Sequence, residues 1–374
     1  MLDGIEISLI VPTLNEALNL PALAERVHAS LRGRRYELLV VDDNSRDNTI
    51  AVCADLSQRF PLRLITRTEP RNGLSGAVLH GMAEARGDVL VVMDADLQHP
   101  PEKLPELVAP IERDIADFVI GSRYTSGGSI ESGWTFYRAL NSKLATLLAR
   151  PFAGRVTDPM SGFFALKRID YTNARHLTPL GYKIGLELLS KTRVTRVTEI
   201  PIHFGKRLAG ESKLSLKEQF RFLEHLSRLY DFSFPRLSPM VKFAIVTLLS
   251  WGVAALVYLA LRGVGVGALA GIVIAYGFVI ATTAIFHARY VRTQREFLAH
   301  QRPWLDFLIA AGAEWATCTL VAAYLLLRAS VAHDMEVLAL SLPSALAARY
   351  VLRKELLLDV RGLRHELRKD EMLP

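Results

Sequence analysis

Asp94 and Asp96 flank Ala95 directly after the apolar run Asp88–Met93, and Gln98 follows two residues later. Two carboxylates and an amide carbonyl at that spacing are hard oxygen donors, the set that suits Mg²⁺ or Mn²⁺ held against a diphosphate. An Asp-x-Asp triplet alone is common. Here its weight comes from the strand-like run before it and from Pro100-Pro101 after it, which opens a helix with φ preset. Asp42 and Asp43 stand after a second apolar run. One of that pair is expected to cap the helix that follows and the other to accept hydrogen bonds from a base or ribose; the two residues alone do not say which does which. Arg207 and Lys213 bracket Gly210-Glu211-Ser212, and two cations around a glycine turn suit a phosphate or diphosphate, with a solvated basic loop as the alternative. Between these segments lie Arg123, Arg138, Ser142 and Lys143, candidates to hold a second anion. Gly73-Leu74-Ser75-Gly76 lacks the Gly-Lys-Ser/Thr ending of a phosphate loop and reads as a tight turn entering a helix. Tyr124–Gly133, with Gly127, Gly128 and Gly133, is predicted to move over a bound substrate.

These residues need a scaffold. Glu6–Val11, Glu37–Val41, Leu62–Thr66, Asp88–Met93 and Asp117–Ile120 read as short, buried, parallel strands. Ala17–Leu31, Asp47–Arg59, Leu74–Arg86 and Glu102–Arg113 repeat apolar residues at three and four and read as crossover helices. The alternation predicts a doubly wound α/β sheet, in which ligands bind outside the carboxyl ends of the strands. The residues just past four of those ends are polar: Pro12–Glu16 (with Asn15), Asp42–Ser45, Asp94–Asp96 and Gly121–Arg123.

Of the 374 residues 50% are hydrophobic, spread so unevenly that a soluble part and a membrane part are predicted. Spans are expected at Val241–Leu261, Ala268–Phe286, Phe307–Leu327 and Val337–Leu352, the last short and carrying Pro343. The formal net charge is +7, but Arg289, Arg292, Arg295, Arg349, Arg353 and Lys354 sit beside apolar segments, which fits membrane orientation rather than nucleic-acid binding. With an even number of spans, the basic 287–302 loop and the tail after Arg349 lie on the cytoplasmic side, both termini are inside, and the first domain is cytosolic. The short apolar run near the N-terminus has no basic stretch before it, so no signal peptide is predicted. Cys53 and Cys318 read as packing residues. Glu314, inside the third span, is expected to face protein or water. Lys213–Phe234 is amphipathic, suited either to the bilayer interface or to packing on the α/β domain.

VPTLNE (11–16), VVDDNS (40–45), MDADLQHPP (93–101), GSRY (121–124), DPMSGFF (158–164) and GESKL (210–214) together resemble the family 2 glycosyltransferases of GT-A fold, and within them the polyprenyl-phosphate (dolichol-phosphate) mannose synthases. The resemblance runs through the first 230 residues, and the tail is similar to a GtrA-like membrane module. It implies a GT-A domain at 1–212, amphipathic interface helices at 213–236 and a GtrA-like domain at 237–374. By resemblance Pro12, Glu16, Val41 and Asp43 match nucleotide-contacting positions, with Asn15 beside them, which leaves Asp42 as the structural partner. Asp94, Ala95, Asp96 and Gln98 match the metal and diphosphate segment, Arg123, Arg138 and Ser142 the acceptor-phosphate side, and Arg207 with Lys213 the pair that secures phosphates. Leu14 departs from the family, where an aromatic residue is frequent. The implied reaction is inverting, metal-dependent transfer of mannose from GDP-mannose to the phosphate of a polyprenyl or dolichyl lipid in the bilayer. Glucosyl transfer from UDP-glucose to the same carrier and a non-enzymatic lipid translocase are the alternatives. A lipid phosphate is already an anion and needs no general base, so positioning and charge stabilisation carry such a reaction.

Overall fold

The computed structural model describes residues 4–131, 136–174, 177, 178, 180, 183–192, 194–206, 216–235, 237–286, 303–328, 336–345, 347 and 348. The chain divides into two compact units, Met1–Ser233 and Phe234–Pro374.

In the first unit the elements follow as β1 (Ile7–Thr13), α1 (Leu20–Ser30), β2 (Tyr36–Asp42), α2 (Thr49–Leu56), β3 (Leu62–Thr66), α3 (Gly73–Glu84), β4 (Val89–Val92), α4 (Leu104–Glu112), β5 (Phe118–Ser122), β6 (Ser129–Ile130), α5 (Phe136–Ala153), β7 (Phe164–Lys167), α6 (Arg168–Thr172), α7 (Ile184–Lys191), β8 (Val197–Pro201), β9 (His203–Phe204) and α8 (Leu216–Ser233). A seven-stranded sheet runs in the order β3-β2-β1-β4-β7-β5-β8. Alternate side chains of β1 serve opposite faces, as the two-residue period of a strand requires. Leu9 and Val11 join the core under α1, α2 and α4, whereas Ile10 joins the one under α3 and α7. Helix α3 lies close to the sheet because Gly81 has no side chain: a Cβ there would stand 2.6 Å from Ile10 Cγ2 and 2.8 Å from Val41 Cγ2.

The all-parallel expectation needs one correction. Strand β7 runs antiparallel between β4 and β5, pairing Val92 with Phe164 on one side and Ile120 with Phe164 on the other. Its three apolar residues, Phe164, Ala165 and Leu166, are buried on both faces, so four residues suffice to fill the centre of the sheet. The Tyr124–Gly133 segment is likewise more tethered than expected. Strand β6 pairs in parallel with β9, and Glu131 N donates to Phe204 O at 3.0 Å; Gly133 lies outside the described residues.

Helix α8 shows what its two faces do. Leu226 and Leu229 are buried against Ala149 of α5 and Leu186 of α7, and Tyr230 donates its hydroxyl to Leu148 O at 2.9 Å. Phe220 and Leu223 on the other side are 69% and 51% exposed. One face therefore packs on the α/β domain, and the other remains apolar and uncovered within this unit.

The second unit contains α9 (Leu237–Gly263), α10 (Ala268–Phe286), α11 (Pro303–Arg328) and a further apolar helix, α12 (Glu336–Ala345). Two stretches, Ala244–Gly263 and Ala268–Ile285, are long and apolar enough to cross a bilayer. Helices α11 and α12 coincide with the third and fourth expected spans, but their apolar portions among the described residues, Ala311–Leu327 and Glu336–Ala345, are shorter. Gly271 lets α9 and α10 meet, since a Cβ there would lie 3.1 Å from the Tyr258 ring. Trp315 donates its indole N–H to Val273 O at 3.1 Å, joining α11 to α10, and Glu314 beside it is fully buried. The basic 287–302 loop and the tail after Arg349 lie outside the described residues.

Candidate active site

The ends of β1 and β2 are knitted into one ledge. Pro12 pairs with Val41 and Thr13 with Asp42 in the parallel register. Asp42 accepts Ser45 N at 3.0 Å and the Ser45 hydroxyl as well; Ser45 Oγ in turn accepts Asn15 N at 2.7 Å. Asn15 adopts φ of 55°, a conformation Asn tolerates, and its Oδ1 accepts Arg46 N at 2.8 Å. Glu16 N donates to Thr49 Oγ1 at 3.1 Å, while Glu16 Oε2 accepts Asn19 Nδ2 at 2.6 Å. Asp42 is thus consumed by the turn. Asp43 points instead to Arg67, with 2.7 Å between Oδ1 and Nη1. Burial pushes the Asp43 carboxyl above the usual range, against the opposing charge of Arg67.

The end of β4 carries Asp94, buried Ala95 and buried Asp96. Leu97 then takes φ of 61°, which costs a non-glycine residue about 1–2 kcal/mol and is found where function fixes the backbone. That twist lets Gln98 N donate to Asp96 Oδ1 at 3.1 Å. The Gln98 side-chain amide donates to Gly205 O at 3.1 Å, and Gly205 N returns a bond to Gln98 O at 3.0 Å. The Asp94–Gln98 segment and Gly205 are therefore joined through Gln98. His99 is buried behind the segment, stacked on Phe163 at 5.4 Å and edge-on to Phe204 at 5.3 Å between centroids. Burial pushes its imidazole down to about 4, so it is neutral near pH 7, with Nδ1 3.4 Å from Asp94 N. Gly162 lies beside Asp94, where a Cβ would stand at ordinary van der Waals distance, 3.4 Å, from Oδ2.

A divalent cation fits this donor set. Asp94, Asp96 and Gln98 offer hard oxygens, and among the described residues no group of three or more His, Cys, Asp or Glu side chains forms a metal cage. Magnesium in particular is bound through one or two carboxylates, with substrate phosphates and water completing the shell.

At the end of β5, Arg123 is held in a fork. Its Nε and Nη2 reach the two carboxylate oxygens of Asp158 at 2.7 Å each, and its backbone N adds a 3.0 Å bond to Asp158. The side chains are 9% and 0% exposed. The guanidinium also lies over the rings of Tyr124 and Phe204, 5.3 Å from each centroid, so its plane and its aim are both fixed. Ser142 on α5 meets the Tyr124 hydroxyl at 2.8 Å. The structure therefore groups the β1, β2, β4 and β5 ends on one rim, with Ser142 beside Tyr124. The Arg138 side chain, Arg207 and Lys213 lie outside the described residues. Asp158, Arg67 and His99 are the partners that reading the sequence did not assign; Asp158 and His99 stood inside quoted motifs, but nothing in their spacing tied them to Arg123 or Asp94.

Comparison with known proteins fits this arrangement. Residues 8–176 match the family described as Glycosyl transferase family 2. A dolichol-phosphate mannosyltransferase from Pyrococcus furiosus is 45% identical over 246 residues, covering 65% of this chain and 68% of the relative. The chain belongs to glycosyl transferase family 2. The dolichol-phosphate mannosyltransferase of Saccharomyces cerevisiae is 44% identical over 242 residues, covering 62% of this chain and 89% of that one. Among solved structures, glucosyl-3-phosphoglycerate synthase from Mycobacterium tuberculosis in complex with Mn²⁺, UDP and its product superposes with a TM-score of 0.47 at 23% identity, over 61% of this chain and 80% of that one. As a family 2 member the chain is a glycosyltransferase, and its mostly parallel sheet with a central antiparallel β7 is a GT-A domain.

Proposed function

We propose that this glycosyltransferase moves mannose from GDP-mannose to the phosphate of a polyprenyl, dolichyl-type lipid, with inversion at the anomeric carbon. The observation that carries the reading is the fixed Arg123–Asp158 fork beside the Asp94–Asp96 segment, in a chain whose relatives named dolichol-phosphate mannosyltransferase are 44–45% identical. Two anionic partners have to meet here, a nucleoside diphosphate and a lipid phosphate. Pro12, Asn15, Glu16, Val41 and Asp43 form the ledge on which the nucleoside rests. Asp94, Asp96 and Gln98 hold Mg²⁺ or Mn²⁺, which when bound neutralises charge on the leaving diphosphate. Arg123, with Arg138 and Ser142, receives the lipid phosphate and offsets the repulsion between the two anions. The attacking oxygen already carries charge, so no side chain has to remove a proton from it. Arg207 and Lys213 are the cations proposed to secure the phosphates.

The two long apolar helices α9 and α10 associate the protein with a membrane. We place the catalytic unit and both termini on the cytoplasmic side, because the basic 287–302 and 349–354 stretches favour that face.

The test is transfer itself. Detergent-purified protein is given Mn²⁺, a short polyprenyl phosphate and radiolabelled GDP-mannose or UDP-glucose, and label in the organic phase is counted, with Asp96→Ala as control. Mannose-only labelling that vanishes in the control is expected. Glucose-only labelling replaces the donor, and no labelling from either donor refutes the transfer reading.

A further inference from the structure

We propose that Glu199 is a positioning residue for the acceptor side of this site, acting on Arg123 through the Thr157–Asp158 turn. Glu199 stands on β8, opposite Ile120 of β5 in the parallel register, two residue pairs before the strand end that delivers Arg123. Both of its carboxylate oxygens are directed at the turn. Oε2 accepts Thr157 N at 2.9 Å, Oε1 accepts Asp158 N at 2.9 Å, and the Thr157 hydroxyl reaches Oε1 at 2.9 Å and Oε2 at 3.0 Å. The Thr157 hydroxyl also lies 3.1 Å from that of Ser122, the residue before Arg123. The turn so held presents the Asp158 carboxylate to three donors of Arg123.

This is a relay with a definite geometric output. A carboxylate that receives a fork at both oxygens sets the plane and direction of the guanidinium. Asp158 cannot itself be steered from the Arg123 side without moving β5, so its direction is set from behind, by the N–H groups that Glu199 fixes. The same β8–β9 stretch supplies Phe204, whose ring lies under the guanidinium. None of these bonds reaches the residues proposed for nucleotide or metal, so the first effect of Glu199 is expected on the acceptor side. The inference rests on the reading of Arg123 as the acceptor-phosphate cation.

Glu199→Gln replaces one acceptor oxygen with an amide donor and sets it against an N–H of the turn. The KM for polyprenyl phosphate is expected to rise about tenfold, the order set by one lost charge-assisted bond, and kcat to fall, while calorimetric affinity for GDP-mannose with Mn²⁺ stays within twofold. Thr157→Val, which removes the hydroxyl contacts to Glu199 and Ser122 but keeps the Thr157 N–H bond to Glu199, should move the same acceptor KM in the same direction by about threefold; with Glu199→Asp, which shortens the carboxylate's reach and should raise the same KM, it decides the matter should the first variant not fold. An unchanged acceptor KM in folded protein overturns the proposal. An equal loss of donor affinity overturns it too, since a merely structural role would weaken both substrates alike. Absence of lipid labelling by the wild-type protein is a different result: it removes the transfer reading before Glu199 is tested.

Discussion

Arg123 and Asp158 are worth more together than either is alone, because both side chains are almost wholly withdrawn from solvent. Asp158→Asn keeps the shape but leaves a buried guanidinium without its counter-charge, the case in which breaking an ion pair costs about 3–5 kcal/mol. Urea unfolding in detergent should register a loss of that order, and transfer should fall with it. Asp158→Asn with Arg123→Met should recover part of the stability but none of the transfer, which separates the burial penalty from the chemistry. At this scale the grouping of Asp94, Asp96 and Gln98 past one strand end was legible in the sequence because they lie within five residues of one another. The Arg123 partner was not, since it sits 35 positions away and approaches only because β7 turns back through the sheet. Of Asp42 and Asp43, the residues alone could not assign roles; in the structure Asp42 is held by Ser45 and Asp43 by Arg67.

Between elements, the attachment of α8 to the catalytic unit depends on a buried ionic cluster. Glu187 of α7 accepts Lys191 Nζ at 2.7 Å and Thr178 N at 2.6 Å, and its Oε2 lies 3.4 Å from His225 Nε2 of α8. Lys191 Nζ also lies 5.4 Å from the Phe232 ring centroid, again on α8. Burial pushes the Glu187 carboxyl up, but the bonds from His225 and Lys191 outweigh it and hold the group at about 2, below its ordinary 4.5. A carboxyl depressed in the folded state contributes stability above its unfolded pKa and loses it as pH falls through the folded one. The contribution is therefore complete above about pH 5 and fades towards pH 2, with a full size of roughly 3 kcal/mol. Glu187→Gln should unfold more easily than wild type at pH 7 and converge with it near pH 2 when thermal unfolding is followed by tryptophan fluorescence. Parallel stability curves would show that the cluster is not coupled to protonation of Glu187. Helices α1–α4 and α8 and strands β1–β5 could be read from periodicity, whereas α5–α7 and β6–β9 were not; for β6, β7 and β9, two to four residues are too few for a period-two pattern to declare itself. Amphipathicity located α8; which face packs is set by its buried partners on α5 and α7, Ala149 and Leu186 together with the Glu187 cluster.

At the scale of the molecule, two units with separate cores share one chain, and the division assigns them different parts of the task. Every described residue proposed to hold nucleotide, metal or lipid phosphate lies in Met1–Ser233. On the proposed transfer reading, the helices from α9 onward act on concentration: they would confine the enzyme to the surface where a long polyprenyl phosphate is dissolved, turning a three-dimensional search into a local one. Truncation after Pro235 separates the two contributions. Calorimetry should give the truncated chain the same GDP-mannose affinity with Mn²⁺ as the full protein. Its rate on a short, water-soluble isoprenyl phosphate should match the full chain within twofold, because the reacting groups are all retained. On liposomes carrying long-chain polyprenyl phosphate it should fall by about 10²-fold or more, the size of a lost effective concentration. A drop of equal size on both acceptors would instead mean that the second unit contributes groups to the reacting site. An unchanged liposome rate would assign membrane engagement to the first unit, where the uncovered Phe220 and Leu223 of α8 are the residues to change next.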